Sequence, residues 1–186
     1  MLLLLLLVGL VGAEKCMHPP AAVNYTNAMY SGRWYEVGKY QTPGGAAFQK
    51  GTVCTIATYD PYSDTEGGGD IGYSSRKTTP DGSWNNATGI LEPLENPGHF
   101  LQTLVFFGIQ GPSVDYNVIY LDEDSAIEYD CSEHIFGTLD YCLHFMSRTP
   151  TMSEEKLEML MDFVAESGLN THNLEYMVGN QENCWE

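Results

Sequence analysis

Cysteine and histidine are where covalent or metal chemistry would have to rest in this chain. Five cysteines, Cys16, Cys54, Cys131, Cys142 and Cys184, are spread along it. None forms a Cys-x-x-Cys pair and their spacing does not match a zinc site, so no metal is expected from the pattern. In an oxidising compartment an odd count gives two bridges and one spare thiol. A thiol becomes a catalytic nucleophile only beside an activating base that is itself oriented by a third group. No stretch of sequence supplies that set. Nor is there a glycine-rich phosphate loop, a nucleophile elbow or a metalloprotease helix. The chain is therefore not expected to be an enzyme.

Charge narrows the partners. Only 8 Lys and Arg stand against 25 Asp and Glu, a formal net charge of -17. Such a surface repels phosphate backbones and anionic lipid, so no nucleic-acid partner is expected. The apolar run Leu2 to Val11, ending in Gly12-Ala13, is too short for a spanning helix, which needs ~20 residues. Its small terminal residues suit signal peptidase, and residues 1–13 are expected to be a signal peptide. No second stretch is long and apolar enough to span, so no integral membrane association is expected. The remaining residues 14–186 suit a single secreted, extracellular domain. Sequons at Asn24 and Asn86 fit export and glycosylation in a eukaryote.

Positioning falls to short strands. Strand signals cover Arg33–Gln41, Thr52–Tyr59, Ile71–Lys77, Trp84–Leu91, Phe100–Phe107, Val114–Leu121, Ala126–Cys131 and Thr138–Ser147. Turn residues such as Thr42-Pro43-Gly44-Gly45, Pro80-Asp81-Gly82 and Asn96-Pro97-Gly98 separate them. From Ser153 to Ser167 the period changes: Leu157, Leu160, Met161 and Val164 fall at helical spacing. Thr151 with Glu154 suits a capping box and Gly168 a stop; Leu174 to Val178 suits a short final strand. The pattern predicts an all-β fold: an eight-stranded antiparallel up-and-down β-barrel, with one C-terminal α-helix packed on its outside.

The segment Met29-Tyr30-Ser31-Gly32-Arg33-Trp34-Tyr35-Glu36 resembles the opening signature of the lipocalins, a helical turn and then Gly-x-Trp-Tyr entering the first strand. Ser147-Arg148-Thr149-Pro150 resembles their third conserved region, and Tyr116-Asn117-Val118 through Leu121-Asp122 resembles the second, although Leu121 stands where Thr is usual. The cysteine positions are most similar to those of the group holding bilin-binding protein, insecticyanin, apolipoprotein D and the crustacyanins. The resemblance implies that Gly32 admits a tight entry, that Trp34 plugs the closed end, and that Arg148 lies across Trp34. It also implies bridges Cys16–Cys131 and Cys54–Cys184, leaving Cys142 free.

An inward Arg148 brings Asp140, Cys142, His144 and Met146 inward by strand alternation. Leu139, Tyr141, Leu143 and Phe145 then face the helix, although hydrophobicity alone would orient the strand the other way. In the same phase Glu128 and Asp130 face inward, Val114, Tyr116, Val118 and Tyr120 form a neighbouring wall, and Phe48 lies over the mouth. A buried Glu128 needs a partner, for which His144 or a polar ligand group is expected. The implied function is a carrier or sequestering protein for a small hydrophobic ligand, with a bilin or carotenoid as candidate chromophore and no required cofactor. The acidic wall suits a biogenic amine as the alternative, and a lipocalin isomerase using Cys142 is a third reading. Oligomerisation is left open.

Overall fold

The computed structural model describes residues 14–64, 67–106, 108–135 and 137–185. The expected signal peptide lies outside the described residues. A short helix α1, Asn27–Tyr30, leads into eight long strands: β1 Gly32–Gln41, β2 Thr52–Pro61, β3 Gly69–Lys77, β4 Trp84–Pro93, β5 His99–Phe106, β6 Ile109–Leu121, β7 Ser125–Glu133 and β8 Leu139–Ser147. Helix α2, Glu154–Ser167, follows, and then a two-residue strand β9, Met177–Val178. Each of the eight long strands pairs with its sequence neighbour, β1 pairs with both β8 and β2 to close the barrel, and β9 adds to β1. Closure removes the free edges that short strands would otherwise expose. No helix among the described residues is long and apolar enough to cross a membrane.

Alternation sorts the apolar residues into two layers. One fills the lower barrel with Tyr25, Tyr30, Trp34, Tyr59, Phe100, Tyr116, Val118, Leu121 and Met146. The other lies between barrel and helix, where Ile127, Tyr129, Tyr141, Leu143 and Phe145 receive Leu160 and Val164. That second layer explains why β8 is apolar on its outer face. The helix stripe needs a platform, and the expected strand phase holds.

Trp34 seals the closed end. Its side chain is wholly buried, its indole N–H donates to Tyr30 O at 2.7 Å, and the Arg148 guanidinium lies 3.5 Å from its ring centre. Arg148 also donates to Arg33 O and Met29 O, tying the last strand to the first. Gly32 enters β1 at φ +85°, a conformation costly for any residue with a Cβ. The bridges Cys16–Cys131 and Cys54–Cys184 are formed as expected, and Cys142 is free and buried.

Three local expectations are corrected. The cap of α2 is Ser153, whose side chain accepts from Lys156 N; Thr151 lies too far upstream because the helix begins at Glu154. Tyr120 does not face the interior. A bulge between Val118 and Tyr120 inserts Ile119 and sends both residues outward, where Tyr120 packs on Phe163 of α2 and donates to Asp122. Glu128, finally, is hydrogen-bonded by Tyr30 rather than by His144.

Candidate functional site

The barrel interior changes character with height. Above the Trp34 plug, aromatic rings fill the cross-section, and Glu128 sits buried among them. The Tyr30 hydroxyl donates to Glu128 at 2.5 Å and lies 2.6 Å from the Tyr116 hydroxyl. Burial raises the Glu128 carboxyl above the usual range, although the neighbouring His144 charge and the Tyr30 and Tyr116 hydroxyls pull the other way. This carboxylate therefore finds its partners in phenols from α1 and β6. Sequence reasoning missed Tyr30 because it precedes the first strand.

One layer higher, β1, β7 and β8 bring four charges together. His144 lies 2.5 Å from Glu36 through Nδ1 and 2.8 Å from Asp130 through Nε2. Lys39 donates to Glu36 at 2.9 Å and to Gln49 at 2.5 Å. Register explains the meeting: Lys39 pairs with His144 across β1 and β8, while Asp130 pairs with Cys142 across β7 and β8. A bulge between Glu36 and Gly38 turns both Glu36 and Lys39 inward. Gly38 is required there, since a Cβ would overlap the Tyr176 hydroxyl.

Burial alone would raise the Glu36 carboxyl, but the Lys39 ammonium and His144 outweigh it and hold it at about 2. Burial would lower His144, yet the Cys142 sulphur and the bonds to Asp130 and Glu36 raise it well above the usual imidazole range. His144 is thus a cation clamped between two carboxylates. Burial pushes the adjacent Cys142 thiol up to about 11, against the pull of His144. A protonated thiol beside an imidazolium whose nitrogens are both engaged is not set up as a nucleophile with a free base.

At the open end a cavity of about 300 Å³ is bounded by the β1–β2 loop and the ends of β5 to β8. Phe48, Leu104, Phe106, Pro112 and Val114 give it apolar walls, and Gln102, Asp130, His134 and Asp140 give it polar ones. Phe48 packs against Tyr73 with ring centres 5.2 Å apart and the planes tilted by 58°. Asp140 accepts from Thr42 Oγ1 and Gly44 N and lies 2.7 Å from His134, so it pins the β1–β2 loop to the mouth. Of the residues singled out from sequence, Phe48, Val114, Asp130 and Asp140 line this cavity. Cys142 and His144 lie buried in the adjoining charged layer, Tyr116, Val118 and Glu128 lie deeper, and Tyr120 is outside. Glu36, Lys39, Gln49 and Gln102 were not singled out; continuing the alternation from Trp34 would have found Glu36, but the bulge hides Lys39.

Residues 27–178 match the family described as a lipocalin-like domain. Apolipoprotein D of Macaca fascicularis is 30% identical, the alignment covering 100% of this chain and 98% of that protein. Outer membrane lipoprotein Blc of Escherichia coli is 32% identical, over 81% of this chain and 80% of that protein. The structure of insecticyanin from the tobacco hornworm Manduca sexta superposes with a TM-score of 0.67 at 18% identity, covering 89% of this chain and 86% of that one. With the closed eight-stranded barrel, the Trp34 plug under Arg148 and a family match across nearly the whole fold, the chain belongs to the lipocalin family.

Proposed function

We propose that this protein is a secreted carrier that holds a small, largely apolar molecule in the mouth of its barrel. The observation that carries this reading is the mouth cavity itself: apolar walls under Phe48, with a few fixed polar groups beneath, the usual make-up of a small-molecule site. Phe48 and Val114 would grip the apolar body of the ligand. Asp130 would meet its polar end, with His144 and Cys142 behind it and Tyr116, Val118 and Glu128 as the floor. At about 300 Å³ the cavity sits at the small end of the range for ligand pockets. A bilin or carotenoid, longer than that space, would displace Phe48 or project from the mouth. Two long-range bridges and exposed Asn24 and Asn86 support an extracellular, glycosylated protein.

Asp130 and Asp140 also favour a second reading, a biogenic amine, since both carboxylates line the cavity. It ranks lower because each already has a histidine within hydrogen-bond distance. The test is titration of the recombinant protein with biliverdin, a carotenoid and a fatty acid, followed by Trp quenching. Saturable binding at about micromolar level or tighter by at least one supports the carrier. Calorimetric binding of histamine or serotonin with none of the apolar probes transfers the function to the amine reading. Binding of none overturns both.

A further inference from the structure

Three side chains in the upper barrel offer three different donor atoms. Asp130 presents a carboxylate oxygen, Cys142 its Sγ and His144 a ring nitrogen, all within 4.8 Å of one another. Strand register builds the group: Asp130 pairs with Cys142 across β7 and β8, and His144 lies two residues along on the same face. We propose that Cys142, His144 and Asp130 form a binding site for a divalent transition-metal ion of zinc type.

Thiolate, imidazole and carboxylate together are the donor mix that zinc takes. A tetrahedral ion bonded at ~2.3 Å to sulphur and ~2.0–2.1 Å to nitrogen sets those two atoms about 3.5 Å apart. Cys142 Sγ and His144 Nδ1 stand 3.7 Å apart; the ion takes the place of Glu36 at Nδ1, and the Asp130 carboxylate, now 2.8 Å from Nε2, swings off that nitrogen to reach it. Cys142 and His144 are buried, and Asp130 is the member that lines the mouth cavity. The ion enters from that side, and its fourth position faces the cavity, the arrangement of a site with three protein ligands and one exchangeable one.

The exchange also balances. In the metal-free cluster both His144 nitrogens lie within hydrogen-bond distance of carboxylates, Glu36 and Asp130, which accept and do not donate. On binding, the thiol and the ligating ring nitrogen each lose a proton to solvent, and bonds from sulphur, nitrogen and oxygen to the ion form. Nothing is oxidised. Two protons leave as a dication enters, so the net charge of the buried layer is unchanged and no unpaired charge is added. Lys39 stays on Glu36 and Gln49, with the Glu36 carboxylate to offset its charge.

The test uses the full chain with its bridges formed, stripped by a chelator and titrated with Co²⁺. Four of the five cysteines are in the bridges, so a thiolate-to-cobalt charge-transfer band has Cys142 as its one source. The expected result is that band at one equivalent, with tetrahedral d–d absorption, and its loss on adding Zn²⁺. Cys142→Ser should remove the band and weaken zinc binding by more than about 100-fold, beyond the usual cost of losing an outer-shell partner. His18→Ala, a change at an exposed residue outside the cavity, should leave both intact. A wild-type protein that shows one free thiol on denaturation but no charge-transfer band overturns the proposal without any variant. So does zinc affinity unchanged in Cys142→Ser.

Discussion

Replacing Glu36 with glutamine removes the anion that faces two buried cations, Lys39 and His144, while leaving the side chain's size almost unchanged. The carboxyl is held at about 2, against an ordinary value of 4.5. At 1.36 kcal/mol per pH unit, that depression corresponds to about 3 kcal/mol of stability. The same order follows from breaking a buried pair, about 3–5 kcal/mol. Because the folded-state value is depressed, the contribution is complete above 4.5 and is lost as pH falls towards 2. Urea unfolding with the bridges intact should therefore show Glu36→Gln destabilised by about 3 kcal/mol at pH 7, the gap from wild type closing by pH 2. Adding Lys39→Met should recover part of the loss, because it removes the cation left without its partner. A difference below about 1 kcal/mol at pH 7, or one that does not change with pH, would refute the reasoning, since neither is compatible with a stabilising buried charge.

Arg148→Ala should cost about 2–4 kcal/mol in the same unfolding experiment, from the lost contact over Trp34 and two charged hydrogen bonds; a loss under 1 kcal/mol would contradict the closed-end account. Reducing both bridges should lower the melting temperature sharply. They span 115 and 130 residues, and each is worth about 4–5 kcal/mol in the chain-entropy model. Cys142 should alkylate slowly near neutral pH in metal-free protein, because it is buried and its thiol is pushed up to about 11. Fast labelling followed by mass spectrometry would place it outside the interior.

Period and punctuation in the sequence locate seven of the eight strands to within two residues at each end, because a half-buried strand must alternate; β6 begins at Ile109, five residues before the expected Val114. The orientation of β8 is different. Its apolar face covers the helix and its polar face lines the barrel, so hydrophobicity alone inverts it; only Arg148, through the family signature, sets the phase. Bulges are where reading fails. Ile119 and Val37 each shift the alternation by one residue, placing Tyr120 outside and Lys39 inside, and nothing in the side-chain pattern marks either position. The bond from Tyr30 to Glu128 joins positions 98 residues apart, which no local pattern reports. The helix cap was misplaced by two residues for a simpler reason: Ser153 and Thr151 are both competent caps, and the helix start decides between them.

Occupancy of the barrel mouth is tested most directly by filling it. Val114 lines the cavity, whereas Tyr120, six residues along the same strand, packs on the outer helix. The affinity of the tightest apolar probe should be measured for wild type, Val114→Trp and Tyr120→Phe. The account predicts at least about a tenfold loss for Val114→Trp, equivalent to about 1.4 kcal/mol, and no change for Tyr120→Phe. Unchanged affinity in Val114→Trp, or an equal loss in both variants, would contradict a ligand held at the barrel mouth.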